Sequence, residues 1–371
     1  MLKTPLCDLL GIKYPIIQAG MGPFSNNKLC IATANAGVLG LLSTSGLRSK
    51  TTQPGIFKHF CETGGASIED DDPTILRKIF EQTSAGTKES GGIFGINVMV
   101  STEVKDQAEK IINAAIDARE RDPSLKERFK VIFTSAGDPM GWEDKIKGAG
   151  FKWLHVVPSV KGALRCKKAG VDLVVASGHE GGFHTAWEPV HSMVLLPAVV
   201  EALADSGTLV VGAGGFCDGK TLAAALTLGA AGAQMGTRFL ATKESDFADL
   251  WKEGIVGAQD RGTLVARGFV GPARWIKNPK SLEHQANTLG GAPGVFLGRP
   301  DDPNSAESKQ LIAFETEAIN ATFNGDKENA MMAGGECAQR VEDLPLVQEL
   351  VDRIVGDATS IISEMSAKYL V

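Results

Sequence analysis

Two neighbouring stretches decide the fold: VDLVVASGHEGGFH at residues 171–184 and TLVVGAGGF at residues 208–216. Each begins as an apolar run typical of a buried strand, continues into a glycine pair and leads into a segment of helical character. A glycine pair between a strand end and a helix start exposes backbone N–H groups beside the positive helix terminus, so the main chain alone can hold an anion there. In the first stretch two histidines and a glutamate stand beside that anion site. This combination indicates a phosphate-bearing cofactor with acid–base chemistry next to it.

Composition and charge bound the possible functions. The 371 residues suit one large α/β domain with an addition, and 43 glycines with only 6% aromatic residues fit a fold with many tight turns. A net charge of −6 does not indicate nucleic-acid binding, which is typical of domains with an excess of basic residues. Six cysteines without any C-x-x-C pair favour a reducing compartment, and the uncharged segment 221–237 is too broken by Gly, Thr and Gln to span a membrane. We therefore expect a cytoplasmic protein with a small-molecule substrate, no nucleic-acid partner and no membrane partner, and a homodimer is kept open as its assembly.

Strand-like and helix-like segments alternate along the first two thirds of the chain. The predicted strands are Pro15–Gln18, Val38–Leu42, Ile93–Val98, Val131–Thr134, Trp153–Val157, Val171–Ala176, Leu209–Gly212 and Gly232–Met235. The predicted helices are Asn27–Ala36, Thr74–Thr83, Val104–Arg121, Gly141–Ala149, Val160–Ala169, Val190–Ala204 and Asp218–Leu228.

Glycines at the helix ends support this alternation. Ala36-Gly37, Ala149-Gly150, Ala169-Gly170 and Leu228-Gly229 each place a glycine where a chain leaving a helix often takes positive φ, and a new apolar run begins within three residues. Short connections between alternating strands and helices imply parallel strands with right-handed crossovers. Eight such units predict a (β/α)8 TIM barrel, and a doubly wound open sheet is the alternative.

Two segments lie outside the repeat. Residues 45–92 hold Gly, Ser, Thr and acidic residues around one helix and are predicted to be an insertion after the second strand. Residues 245–371 contain three helix-like stretches and are predicted to be a helical C-terminal region packed on the barrel. The domain prediction is therefore a cofactor-binding barrel over residues 1–244 followed by the helical region 245–371.

The predicted binding residues follow the strands, because active sites of barrels lie at the C-terminal ends of their strands. The loops after the seventh and eighth strands form a recurrent phosphate site of this fold. Gly214-Gly215 and Gly236-Thr237 lie at those places, and Gly181-Gly182 follows the sixth strand. Turn geometry alone explains one such pair, whereas three on successive loops favour an anion site. The candidate cofactor-binding residues are Ala19, Gly20, Met21, Gly22, Asn97, Ser135, Ser177, Gly181, Gly182, Gly214, Gly215, Gln234, Met235, Gly236 and Thr237.

His184 is the candidate for proton transfer, since the ordinary pKa of histidine lies near neutrality and this histidine follows an anion-binding glycine pair. His179 and His191 are weaker candidates: His179 braces the loop and His191 faces a helix surface. The spacing His179-x4-His184 with Glu180 between them is compatible with a metal site. The intervening glycines prevent the helix on which such ligands would converge, so no metal is expected.

These residues resemble the nitronate monooxygenase family, formerly called 2-nitropropane dioxygenases, which includes flavin-dependent enoyl-acyl-carrier-protein reductases. The likeness covers residues 1–240 with gaps and extends to residues 267–278, where Gly271-Pro272-Ala273-Arg274 is similar to a family segment. The most specific part is GGFCDG at 214–219, followed by AAALTLGA at 223–230 and QMGTRF at 234–239. The resemblance implies an FMN-binding TIM barrel.

The resemblance also implies roles for single residues. It places Gln18 to Gly22 along the flavin ring, matches Asn97 to a flavin-contacting asparagine, and matches Gly182, Gly215 and residues 234–237 to phosphate and ribityl positions. It places His184 at the catalytic histidine. The chain departs from the family pattern at Phe183, where glycine is usual, and at Ser177, where a flavin-contacting glutamine is usual. These departures affect the substrate more than the flavin.

The leading expectation is an FMN-dependent oxidoreductase that oxidises alkyl nitronates with O2, with His184 as acid–base group. The alternative is an enoyl-thioester reductase that takes electrons from NAD(P)H through the same flavin. Two further alternatives belong to other functional classes. One is a non-catalytic flavin-binding subunit, and the other is a flavin-free phosphate-binding barrel, such as a phosphosugar isomerase.

Overall fold

The computed structural model describes residues 2–370, leaving aside the side chains of Thr52 and Glu103. Within that range the strands are β1 (Ile16–Gln18), β2 (Gly40–Ser43), β3 (Phe94–Met99), β4 (Phe129–Ser135), β5 (Lys152–Val157), β6 (Leu173–Ser177), β7 (Phe183–His184), β8 (Leu209–Ala213), β9 (Ala233–Met235), β10 (Thr263–Gly268) and β11 (Gly271–Ile276).

The helices in chain order are α1 (Pro5–Leu10), α2 (Asn27–Asn35), α3 (Ser49–Thr52), α4 (Pro54–Thr63), α5 (Asp72–Thr87), α6 (Lys105–Arg121), α7 (Glu143–Gly148), α8 (Val160–Lys168), α9 (Ser192–Leu203), α10 (Gly219–Thr227), α11 (Thr237–Leu240), α12 (Asp249–Val256), α13 (Pro279–Gly291), α14 (Gly294–Leu297), α15 (Ala306–Phe323) and α16 (Val347–Tyr369). Short 3-10 turns occur at Ser45–Arg48, Thr102–Val104, Pro123–Glu127 and Glu336–Arg340. None of the described helices combines the length and the apolar composition that crossing a bilayer requires.

Eight parallel strands form one sheet in the order β1-β9-β8-β6-β5-β4-β3-β2. The sheet closes between its two ends, because Gln18 N–H donates to the Leu39 carbonyl over 2.9 Å and Leu39 N–H donates to the Ile16 carbonyl over 3.1 Å. The strand order follows the chain without the reversal of a doubly wound sheet. The prediction of a (β/α)8 barrel is therefore confirmed, and each of the eight predicted strands overlaps a strand of this sheet.

Both faces of the sheet are buried, as expected for parallel strands covered by helices. Inside the barrel, Ile17, Leu41, Phe133, Leu154 and Val211 belong to one apolar cluster that also includes Leu6 and Leu10 of α1. Helix α1 therefore packs on the interior of the barrel. The outward-facing strand residues pack against the surrounding helices in a larger cluster, which α16 joins through Leu350, Val351 and Ile354.

The insertion and the C-terminal region build a third apolar cluster. Residues 45–92 form α3, α4 and α5 rather than the single predicted helix, because α4 begins at Pro54 and buries Ile56, Phe57 and Phe60. Ile56 packs with Phe247, Trp251 and Ile319 of the C-terminal region.

The C-terminal region is mostly helical, but it also holds an antiparallel hairpin formed by β10 and β11. The sequence did not predict this hairpin, since Arg267 and Arg274 interrupt its apolar pattern. Both arginines are buried in the structure. The short strand β7 pairs with β11 and completes a three-stranded sheet beside the barrel.

The seam between β1 and β2 depends on the side chain of Gln18. Its Oε1 accepts a hydrogen bond from Leu41 N–H over 2.9 Å, and its Nε2 donates to the Leu41 carbonyl over 3.3 Å. Gln18 is fully buried. The resemblance placed Gln18 along the flavin ring, whereas the structure uses its amide to continue the strand pairing where the backbone ladder stops.

We expect Gln18→Ala to destabilise the protein, because both polar backbone groups of Leu41 lose their side-chain partner inside the core. An unsatisfied buried polar group costs about 1–3 kcal/mol. The midpoint of urea unfolding, followed by far-UV circular dichroism, should fall accordingly. Gln348→Ala is the control, since Gln348 bonds only Asp352 on the exposed face of α16. Equal midpoints for the two variants would show that the Gln18 amide is not needed at the seam.

Candidate active site

A cavity of about 1020 Å³ opens at the C-terminal ends of the barrel strands. The loops after β1, β3, β4, β6, β8 and β9 line it, together with residues from the insertion and the C-terminal region. Among the predicted binding residues, those that line the cavity are Ala19, Gly20, Met21, Gly22, Asn97, Ser135, Ser177, Gly181, Gly182, Gly214, Gly215, Gln234, Gly236 and Thr237. The structure therefore brings these residues together at the end of the barrel where the site was expected.

Met235 is the one predicted residue that does not line the cavity. Its side chain is fully buried in the cluster between the sheet and the outer helices. Its position follows from strand alternation, since its neighbours Gln234 and Gly236 point the other way. The Met235 carbonyl accepts a hydrogen bond from Ala19 N–H over 3.0 Å, so Met235 positions the loop after β1 through its backbone.

The glycine loops form a wall of exposed main chain. Gly214 and Gly215 both have positive φ, at 84° and 86°. A Cβ atom on Gly214 would lie 2.6 Å from the Gly178 carbonyl oxygen, and one on Gly182 would lie 2.6 Å from the Gly335 nitrogen. Only glycine lets these segments approach so closely. The wall is thus built from backbone, as an anion site made by main-chain groups requires.

A segment of the C-terminal region that the sequence pattern did not predict completes this wall. Gly335 N–H donates to Thr237 Oγ1 over 2.9 Å, and Glu336 N–H donates to the Glu180 carbonyl over 2.9 Å. Gly334 and Gly335 also line the cavity. The signal in the sequence was a further glycine pair, but it lies far along the chain from the barrel strands.

Asn97 connects three loops at the opposite wall. Its Nδ2 donates to the Gly20 carbonyl over 3.1 Å, and its Oδ1 accepts from Ser135 Oγ over 3.0 Å. A Cβ atom on Gly20 would lie 2.7 Å from Asn97 Cβ, so glycine is needed for this close packing. Asn97 therefore holds the loops after β1 and β4 in place rather than capping a helix.

His184 lies at the cavity on β7, opposite Ala273 of β11. The preceding residue, Phe183, has a positive φ of 61°, which costs a side chain about 1–2 kcal/mol and explains why glycine is usual at that position. Phe183 compensates by packing its ring against Trp275 at 5.4 Å between centroids. Among the described residues, none hydrogen-bonds the imidazole of His184, so both ring nitrogens remain available to a ligand.

The imidazole of His184 is uncharged at neutral pH. Its surface is open to the cavity, but protein atoms surround the cavity, and this desolvation lowers the pKa of His184 to about 4. The positive charges of Arg267 and Arg48 lower the pKa in the same direction. A neutral imidazole can accept a proton or donate one hydrogen bond.

The other two histidines have different surroundings. The His179 ring lines the cavity, and burial lowers its pKa to about 4, with its Nδ1 buried and without a described partner. His191 is exposed at the N-terminus of α9, and its ring packs against that of His179 at 5.5 Å. Glu180 accepts hydrogen bonds from Ser192 N and Oγ, so it caps α9 and fixes the loop.

Arg274 supports the loop that carries His179 and His184, which we call the histidine loop. It is buried, its Nη2 donates to the His179 carbonyl over 2.9 Å, and its Nη1 lies 3.0 Å from a carboxylate oxygen of Glu336. Arg274 belongs to the segment that carried the family resemblance outside the barrel. The local sequence pattern indicates no role for Arg274, since its contacts are with residues about 60 and 95 positions away.

Comparison with known proteins places these features in a family. A family profile described as nitronate monooxygenase matches residues 3–357. The chain is 31% identical to a Mycobacterium tuberculosis protein named (3aS,4S,5R,7aS)-5-hydroxy-7a-methyl-1-oxo-octahydro-1H-indene-4-carboxyl-CoA dehydrogenase, over 99% of both chains. It is 31% identical to a probable nitronate monooxygenase of Staphylococcus saprophyticus, over 98% of this chain and 99% of that one. The solved structure of FabK from Thermotoga maritima is 26% identical, covers 99% of both chains and superposes with a TM-score of 0.77.

We expect His184 to stay neutral in the cofactor-free protein down to about pH 5, because its pKa is lowered to about 4. NMR of ¹⁵N-labelled histidines, assigned with His184→Gln, measures this directly. Arg48→Gln should raise the midpoint, since it removes a nearby positive charge. A His184 midpoint near the ordinary 6.5 would contradict the desolvated environment.

Proposed function

The chain belongs to the nitronate monooxygenase family and is an oxidoreductase, and from this premise we propose that it binds FMN in the cavity and acts on an acyl or enoyl thioester. Residues 1–244 would supply the cofactor-binding barrel, and the region from residue 245 onward would cover it. The proposal rests on the fit of the cavity to a flavin and on the space that the cavity offers beyond it.

The residues present fit a flavin mononucleotide. Gln234 Oε1 is buried at the cavity without a described hydrogen-bond partner, as expected of an acceptor that pairs with a ligand N–H. The loop from Ala19 to Gly22 and Asn97 would lie along the ring, and Gly182, Gly215 and Thr237 would hold the phosphate with backbone and hydroxyl groups. When bound, FMN supplies two-electron redox chemistry.

The apolar side of the cavity supports the choice of substrate. Beyond the loops that would hold the flavin, Ile56, Phe247 and Ile319 line the cavity with buried apolar side chains. Such a surface suits the hydrocarbon part of an acyl thioester better than a small nitronate. The Mycobacterium tuberculosis relative is named as a dehydrogenase of a carboxyl-CoA, and this supports the same class of substrate.

His184 would accept or donate the proton in this reaction. Conversion of a saturated thioester into an enoyl thioester removes a proton from Cα and a hydride from Cβ, and the reverse reaction returns both. The neutral imidazole of His184 accepts the Cα proton, and Arg48 at the cavity wall stabilises negative charge that develops on the thioester oxygen.

Oxidation of an alkyl nitronate is the second candidate. Arg48 lines the cavity and Arg267 acts on His184 from nearby, so the environment favours an anionic substrate. The family description and the Staphylococcus saprophyticus relative support this activity. In this reaction His184 would position the nitronate oxygens or accept a proton.

FMN affinity should fall at least tenfold in Gly214→Ala. The new methyl group requires a left-handed backbone at φ 84° and would lie 2.6 Å from the Gly178 carbonyl oxygen, so the phosphate loop must shift. Quenching of flavin fluorescence measures the dissociation constant. Gly207→Ala is the control, because Gly207 has a similar φ of 73° but no atom within 4 Å of the added Cβ. Comparable FMN affinity in the two variants would remove Gly214 from the binding site.

Anaerobic mixing of the FMN-loaded protein distinguishes the candidates. We expect the flavin absorbance to bleach with octanoyl-CoA, or with NADH or NADPH followed by reoxidation with 2-octenoyl-CoA. Faster bleaching by 2-nitropropane anion, with no response to the thioesters or nicotinamides, would replace the thioester proposal with nitronate oxidation. Bound flavin that responds to none of these compounds would favour the non-catalytic subunit.

His184→Ala belongs in the same experiment. We expect it to keep FMN and to lose about 10²–10⁴-fold in kcat/KM, the usual contribution of an acid–base group. His191→Ala is the matched control, since His191 is exposed and does not line the cavity. Unchanged turnover in His184→Ala would remove His184 from the reaction.

A further inference from the structure

One side of the cavity is an apolar chamber built by the parts of the chain that a simple barrel lacks. We call it the inner chamber and define it by Ile56 of the insertion and by Leu240, Phe247, Trp251 and Ile319, which follow the last barrel strand. All five line the cavity and all five belong to one buried apolar cluster. The inner chamber therefore offers a dry surface for the hydrocarbon part of a ligand.

Glu315 is the ionisable side chain of α15 on this wall. It lies four residues before Ile319 on the same helix and lines the cavity beside Thr316, whose hydroxyl accepts a hydrogen bond from Gln53 Nε2 of the insertion over 2.9 Å. Glu315 is only 3% exposed. A carboxyl group this deeply buried beside apolar side chains needs a specific partner.

The carboxyl group has one buried oxygen without a partner. The backbone N–H of Phe269, at the turn of the β10–β11 hairpin, acts on the carboxyl group and lowers its pKa. The oxygen Oε2 is buried and has no hydrogen-bond partner among the described residues. Among the residues that the structure describes, no arginine or lysine lies within ion-pair distance of the Glu315 carboxyl group. A buried polar atom without a partner costs about 1–3 kcal/mol, so its place on a cavity wall points to a ligand atom.

The protonation state of Glu315 decides which ligand atom fits. Burial raises the pKa of Glu315 to about 8, although the charge of Arg267 acts in the opposite direction. At neutral pH the group is therefore mainly a carboxylic acid with an O–H donor. An acid of this kind pairs with a neutral acceptor, such as a ketone or alcohol oxygen, and disfavours a second carboxylate.

We propose that Glu315 is a specificity-determining residue that donates a hydrogen bond to a neutral ketone or alcohol oxygen on a hydrocarbon group held in the inner chamber. This inference rests on the proposed function in one respect, since it takes that hydrocarbon group to be the acyl part of the thioester. Substrates with a plain hydrocarbon in the inner chamber leave the acid unpaired and bind less well. Sites that pair a substrate oxygen discriminate strongly against analogues that lack it.

The binding of two small probes to the FMN-loaded protein tests Glu315 without turnover. Cyclohexanone and methylenecyclohexane have the same ring and differ only in an oxygen or a methylene group, and ligand-observed NMR gives both dissociation constants. In Glu315→Leu we expect the affinity for cyclohexanone relative to methylenecyclohexane to fall about tenfold, the effect of one hydrogen bond. Glu315→Gln should keep most of the preference, because its amide N–H still donates.

Glu317→Leu is the matched control, since it places the same substitution on the exposed face of α15. An unchanged affinity ratio in Glu315→Leu, or an equal loss in Glu317→Leu, would overturn the inference. Should Glu315→Leu fail to fold, Glu315→Met supplies the same comparison.

A second pair of probes separates this inference from the proposed function. Wild-type protein should reduce its flavin with 4-oxocyclohexanecarboxyl-CoA at a higher kcat/KM than with cyclohexanecarboxyl-CoA, and Glu315→Leu should lose that preference. Failure of both thioesters to reduce the flavin, and of the matching enoyl thioesters to reoxidise the reduced flavin, would refute the thioester proposal, while the cyclohexanone ratio would still report on Glu315. Turnover of both thioesters with no change of preference in Glu315→Leu would refute only the role of Glu315.

Discussion

The close contact of two backbone segments at Gly182 is the constraint on which the site depends. No side chain fits there, because a Cβ atom on Gly182 would lie 2.6 Å from the Gly335 nitrogen. The contact is held by Glu336 N–H to the Glu180 carbonyl and by Gly335 N–H to Thr237 Oγ1, each 2.9 Å long. The C-terminal region thereby becomes a wall of the barrel site, so the barrel strands and their own loops do not enclose the cavity alone.

The same region also sets the position of the histidine. Because β7 pairs with β11, His184 is held by the hairpin rather than by the barrel strand that precedes it. Arg274, on the same strand as the partner of His184, bonds the His179 carbonyl and pairs with Glu336. A movement of the hairpin would therefore move the histidine loop and the glycine wall together. The long C-terminal region after the eighth barrel strand thus has a structural role, because its hairpin positions both the histidine loop and the glycine wall.

Local pattern in the sequence was enough for the barrel, but not for the contacts between distant segments. The apolar runs and the glycines at helix ends predicted all eight barrel strands, and the residues at the strand ends were those that line the cavity. The pattern did not indicate that strand alternation turns the Met235 side chain to the core, or that the Gln18 amide seals the barrel seam. The β10–β11 hairpin and Glu315 were missed because their polar residues are explained only by partners far along the chain.

The distribution of charge argues for a substrate with two different ends. Near β7, the neutral His184 stands beside Arg48 and Arg267, an environment that stabilises negative charge on a reacting oxygen. At the inner chamber, burial keeps Glu315 protonated beside apolar side chains, an environment that accepts a neutral oxygen and a hydrocarbon. Arg267 influences both groups, lowering the pKa of His184 and opposing the rise in the pKa of Glu315. A single buried cation thus acts on both groups, and under the proposed function a ligand that contacts both of them would be larger than a simple nitronate.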